Sequence, residues 1–217
     1  LVVVTTSTGA VTLTNASNAV TNLAIDVNSG NIAYTDSNGF SVTTVNSVTG
    51  VDTDSGSVAL TATTGNLTVV NTGAANDIDA TTTIALTATA DNAVITIDST
   101  ADVESTGGAH TYTADDILIT GTITASGQSV TLKSSTGSDA IILGVAANGT
   151  GDTLQFTNAE LQSIAATTLT IGASGAGAIT ISGDVTPGSG SGGNVATVAL
   201  ITGSTITATS AGIIETN

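Results

Sequence analysis

The sequence predicts an all-β protein wound as a right-handed parallel β-helix, a solenoid of about eight or nine coils of roughly 20–26 residues each. The first observation behind this is a repeat. Ile32, Val58, Ile84 and His110 lie 26 residues apart, and Tyr34, Leu60, Leu86 and Tyr112 each follow two residues later. The surrounding text keeps one outline: SGNIAYT, SGSVALT, TTTIALT, GGAHTYT. A fixed period of this length is the mark of stacked structural units. The second observation is composition. Hydrophobic residues make up 40% of the chain but aromatics only 2%. The apolar supply is Val, Ile, Leu and Ala, and the polar supply is Thr, Ser, Asn and Gly. These are strand and turn residues. The third observation separates a solenoid from an antiparallel β-sandwich. A sandwich has no need of echoes in one phase, and it commonly holds a large aromatic core residue. Here Trp is absent and the only phenylalanines are Phe40 and Phe156.

Each coil reads as about three short strands, with inward apolar positions two residues apart. Upstream come Val11/Leu13, then Leu23/Ile25 and Val27. The next block gives Ile32/Tyr34, Val42 and Val48/Val51, and the one after it Val58/Leu60, Leu67/Val69 and Ile78. Ile84/Leu86, Val94/Ile97 and Val103 follow, then His110/Tyr112, Ile117/Ile119 and Ile123. Ser37-Asn38-Gly39, Thr64-Gly65-Asn66 and Asp91-Asn92 supply turns. Beyond residue 123 the spacing loosens through Val130/Leu132, Ile141/Leu143, Leu154/Phe156, Leu169/Ile171, Ile179/Ile181, Val198/Leu200, Ile206 and Ile213. Residues 157–166 alone have helical spacing. Leu161 and Ile164 follow Asn158 as the expected cap, with Glu160 beside it, giving a one-turn excursion between coils. Residues 187–193, PGSGSGG, hold the only proline and read as a loop. The whole of 1–217 reads as one β-helical domain, a segment of a longer chain, with a rod length of roughly 40 Å at strand spacing.

The stretch LQFTNAELQSIAATTLTIGASGAGAITISGDVTP, residues 154–187, resembles a recurring element of filamentous-haemagglutinin-like adhesins and related β-strand-repeat giant bacterial surface proteins. The Thr, Ala, Gly and Val style of the rest is similar to them. The resemblance implies a right-handed parallel β-helix outside the cell, serving as fibre, stalk or adhesive surface. It brings no catalytic residues.

Net charge is −16, from 17 acidic side chains against Lys133. That excludes an electrostatic nucleic-acid binder and disfavours an anionic membrane surface. Absence of Cys excludes disulfides and thiolate chemistry. The longest apolar run, 141–147, falls far short of the ~18–20 residues that span a bilayer, so no membrane insertion is expected.

The acidic residues echo as well. Asp26, Asp52, Asp77 and Asp102 are 26, 25 and 25 residues apart, with Asp54, Asp79 and Glu104 two residues after the last three. Stacking would line Asp52, Asp54, Asp77, Asp79, Asp102 and Glu104 into an outward column near a corner. Like charges on neighbouring strands repel. Ca²⁺ would relieve this, since carboxylates are its ligands; the plainer alternative is a solvated acidic edge that discourages aggregation. No other cofactor is expected. Pairs such as Thr61/Thr63 and Thr87/Thr89 suit outward strand positions and do not keep one phase, which argues against an ice-binding rank.

His110, the single histidine, is expected as a packed core residue. It lacks partners for a zinc site, and no G-x-S-x-G elbow supports a hydrolase triad. A lyase on acidic sugars needs several cations and a glycosidase needs aromatic platforms; neither is supplied. The function expected is therefore structural: a segment of a bacterial cell-surface or extracellular fibre, with no catalysis. The alternative is an adhesin segment that binds a glycan or protein directly, and the remote alternative a polysaccharide-active enzyme. The expected partners are neighbouring coils or subunits stacked end to end. The first run, Leu1-Val2-Val3-Val4, and the last, Gly212-Ile213-Ile214-Glu215, are apolar and lack Lys or Pro to blunt an edge.

Overall fold

The computed structural model describes residues 1–149, 151–188 and 194–216. It is a parallel β-helix whose coils each present three strand faces. The second face carries the sequence echo without a break. Val11, Ile32, Val58, Ile84, His110, Val130, Leu169 and Val198 stand opposite one another in register, one per coil. Two residues on, Leu13, Tyr34, Leu60, Leu86, Tyr112, Leu132, Ile171 and Leu200 form a second inward column. The eight coils among the described residues fall within the expected eight or nine. Among the described residues the pairings are parallel except for one hairpin, Thr44–Val45 with Val48–Thr49, so the antiparallel sandwich is ruled out.

The first face stacks Ile25, Val51, Ile78, Val103, Ile123 and Ile164 inward. The third stacks Phe40, Leu67, Ile95 and Ile117, followed two residues later by Val42, Val69, Ile97 and Ile119. All these side chains belong to one continuous buried cluster. Burial of branched aliphatics on three faces of a narrow prism is the main stabilising term, at roughly 25 cal/mol per Å² of apolar surface removed from water.

Several expectations need correction. Val48 is not a core residue. It lies in the hairpin, whose turn residues Asn46 and Ser47 both have positive φ, and the hairpin is an insertion at the corner between the third and first faces. Val94 is half-exposed; the inward pair of its strand is Ile95 and Ile97. Helix α1 (Asn158–Gln162) exists as predicted, but its cap is Thr157, not Asn158. The Thr157 hydroxyl accepts from the Glu160 amide, and the Glu160 carboxylate accepts from the Thr157 amide, which is a closed capping box. Of the 187–193 loop, 189–193 lie outside the described residues.

The third face contains a seam. Strand Asp116–Ile119 ends one ladder, and a second ladder runs Thr153–Thr157, Ala140–Val145, Ile179–Ile181, Ile206–Ala208. Strand Thr153–Thr157 follows Ala140–Val145 in sequence yet pairs on the side away from Ile179–Ile181. It is an extra rung, so among the described residues this face has one strand more than each of the other two. Helix α1 then carries the chain back to the first face at Ile164.

Candidate functional site

The acidic ladder exists, but its members differ from those the spacing suggested. Asp26 stands opposite Asp52, Asp52 opposite Asp79 and Asp79 opposite Glu104. The offsets are 26, 27 and 25 residues, because the corners differ in length. Asp77 and Asp102 are therefore not rungs of this ladder. Asp77 is buried just before its strand and is consumed by structure. Its Oδ1 accepts from the Thr72 amide at 2.7 Å and hydroxyl at 2.6 Å, and its Oδ2 from the Asp102 amide at 2.9 Å. Asp102 is half-buried and accepts from the Thr122 hydroxyl. Asp54 follows its strand and is exposed.

Asp52, Asp54 and Asp79 line a shallow groove of about 410 Å³ with Thr53, Thr81 and Thr106. Burial pushes the Asp52 carboxyl up to about 6, helped by the charges of Asp79, Asp54 and Asp26. The ladder is thus electrostatically loaded at its centre. Successive rungs of the ladder are about 4.8 Å apart along the rod at strand spacing, so the four residues form a row. Among the described residues no three His, Cys, Asp or Glu side chains converge as a metal site.

A second polar cluster lies at the seam, and residue spacing did not point to it. Glu160 is only 4% exposed and accepts four hydrogen bonds. Its Oε1 takes the Ile119 amide at 3.2 Å and Asn148 Nδ2 at 3.0 Å; its Oε2 takes the Thr157 amide at 2.8 Å and hydroxyl at 2.9 Å. Asn148 Nδ2 also donates to the Ile117 carbonyl at 3.1 Å, and Asp116 Oδ1 accepts from the Ile117 amide at 2.9 Å. At the strand edge left by the broken ladder, three side chains thus take the place of a neighbouring strand for the Ile117 amide and carbonyl and the Ile119 amide. A groove of about 400 Å³ opens beside them, lined mainly by Leu118, Ile119, Ala159 and Ser163. Burial raises the Asp116 carboxyl to about 6. The one legible signal was Thr157-Asn-Ala-Glu160, the Thr-x-x-Glu pattern of a capping box.

His110 is buried, as expected, and hydrogen-bonded on both nitrogens. Fold and sites together define a parallel β-helical solenoid with one acidic face and one seam. The chain matches no protein-family model, no curated protein and no solved structure. The likeness of residues 154–187 to bacterial exoprotein repeats accordingly rests on sequence style alone.

Proposed function

We propose that this chain is a structural segment of an extracellular bacterial fibre, a stalk that gives reach and display without turnover. The observation that carries the reading is the unbroken register of the inward columns, which gives the described rod one constant cross-section. At one end Leu1, Val4 and Leu13 are exposed, and at the other Ile201, Ile206, Ile213 and Ile214. The terminal coils offer the same apolar cross-section and the same parallel strand edges as coils in the middle. Further coils, whether of the same chain or of a stacked subunit, would extend the ladders without a change of geometry. Such a contact is head-to-tail and does not close, so it propagates along the axis. A net charge of −16 favours solubility and keeps rods apart laterally. The resemblance of residues 154–187 supports an exterior location.

Electron microscopy of the purified chain tests this. Thin rods that lengthen with concentration, matched by growth in sedimentation coefficient at tens of micromolar, are expected. A globule, or a clean monomer at the highest concentration, would overturn it.

A further inference from the structure

We propose that the coil built from Asp102–Ser105, His110–Thr113 and Asp116–Ile119 is an acid-labile joint in the rod, and that protonation of His110 is its trigger. The inference concerns the fold and stands apart from whether the rod forms a fibre.

The geometry begins with a substitution within a column. Every other coil places Val, Ile or Leu where this one places an imidazole, between Ile84 below and Val130 above. The hydrogen bonds around it fix one neutral tautomer. Ser105 Oγ donates its only proton to the Gly108 carbonyl at 2.6 Å. His110 Nε2, at 2.8 Å, must then donate to Ser105 Oγ. Nδ1 is left as acceptor for the Tyr112 hydroxyl at 3.1 Å. Each proton in the chain Tyr112, His110, Ser105, Gly108 is used once. A second proton on the ring, at Nδ1, would point at the Tyr112 hydroxyl, which could accept it only by giving up its own hydrogen bond to the ring.

Among the described residues no anion stands ready to receive the resulting cation. The neighbours along the column are Ile84, Leu86, Val130 and Leu132, and Val103 belongs to the same coil. The titratable side chain in the network is Tyr112, a fully buried phenol. Glu104 and Lys133 alternate outward on their strands. Asp77 is held by Thr72 and the Asp102 amide. Asp115 accepts from the Asn92 amide and the hydroxyls of Ser135 and Thr136. Asp116 and Glu160 hold the strand edge at the seam. Burial alone holds the imidazole down, at about 4. Asp116 acts with the opposite sign: raised to about 6, it becomes neutral before His110 gains a charge. Mild acid therefore relieves the seam, and stronger acid breaks the coil.

The break stays local because of the seam. This coil's third-face strand is the last of its ladder, and Asp116, Asn148 and Glu160 side chains replace the backbone of a next strand. One face of the joint thus lacks the ladder that ties other coils together, the setting in which sub-global opening costs least.

The chain has one histidine, so long-range ¹H–¹⁵N spectra contain a single imidazole. The expected result on the full chain is a neutral ring protonated at Nε2 at pH 7. It should stay neutral well below pH 6 and gain charge only as amides 102–119 lose exchange protection. The double variant His110→Ile/Tyr112→Leu copies the Ile84/Leu86 rung and removes the trigger. Its acid midpoint is expected about one pH unit lower than that of the unchanged chain. A ring titrating near its ordinary value with those amides still protected would overturn the proposal, and so would protection lost first in another coil. Equal acid midpoints for the two proteins would overturn it too. If the double variant does not fold, the ring titration of the unchanged chain decides.

Discussion

At the scale of single residues, what matters is which polar groups the stack can accept. Asp36 occupies an inward position that other coils give to Ala62 and Ala88. It is tolerated because Tyr34 donates to it at 2.5 Å and the Val20 and Asn38 amides at 2.9 and 2.8 Å. Among the described residues Asp52 has no such partners. Its carboxyl is raised to about 6, so its stabilising contribution is complete below the ordinary carboxylate range and is lost as pH rises through 6. Asp52→Asn is expected to raise stability at pH 7 by about 1 kcal/mol after screening, and to leave it unchanged at pH 3.5. Urea midpoints at the two pH values check this, and a variant destabilised at pH 7 would show that Asp52 has an unseen partner. If Ca²⁺ bridges the ladder, millimolar Ca²⁺ should raise the melting temperature of the unchanged chain well beyond a Na⁺ control of equal ionic strength, and Asp52→Asn should abolish the difference.

At the scale of elements, corners and insertions decide the register. The second face keeps a 26-residue interval from Ile32 to His110, so spacing alone placed its strands. The first face does not. Gly50 shows why Asp52 cannot be equated with Asp77. Its φ is +69°, and a Cβ there would sit 2.2 Å from the Asp77 carbonyl oxygen. Gly50 and Asp77 are thus corner partners, and Asp52 moves opposite Asp79. Helix α1 is the other element with a specific task, since its Glu160 terminates the broken ladder. Glu160→Gln places an amide NH₂ against two of the four donors that now point at the carboxylate. A loss of about 1–3 kcal/mol is expected, read from urea unfolding. An unchanged midpoint would mean that the seam does not depend on this cap.

At the scale of the whole molecule, the rod is close to one-dimensional, each coil touching chiefly its two neighbours. A defect in the middle should therefore be felt as a break between two half-stacks. Ile84→Asp places a carboxylate between Val58 and the neutral imidazole of His110 in a dry core. It is expected to cost at least about 3 kcal/mol and to split a single thermal transition into two. A melting curve unchanged from that of the parent would mean that Ile84 does not face the core.

The sequence by itself determined the all-β solenoid, the coil count, the second-face register and the inward place of His110. Each follows from local rules: period-two alternation, a constant repeat and the choice of strand and turn residues. Only the tertiary structure decided the acidic ladder, the seam and the tautomer of His110. Asp26, Asp52, Asp79 and Glu104 are joined by ladders whose offsets depend on corner lengths that no local pattern encodes. Glu160 reads in sequence as a helix cap. Its second task, holding the Ile119 amide, spans 41 residues and arises because one face of the prism has a strand more than the others. The Ser105–His110–Tyr112 chain is close in sequence, but its order of donors is set only once the corner turns the Ser105 hydroxyl toward the Gly108 carbonyl, and a lone histidine in a repeat gives no sign of that geometry.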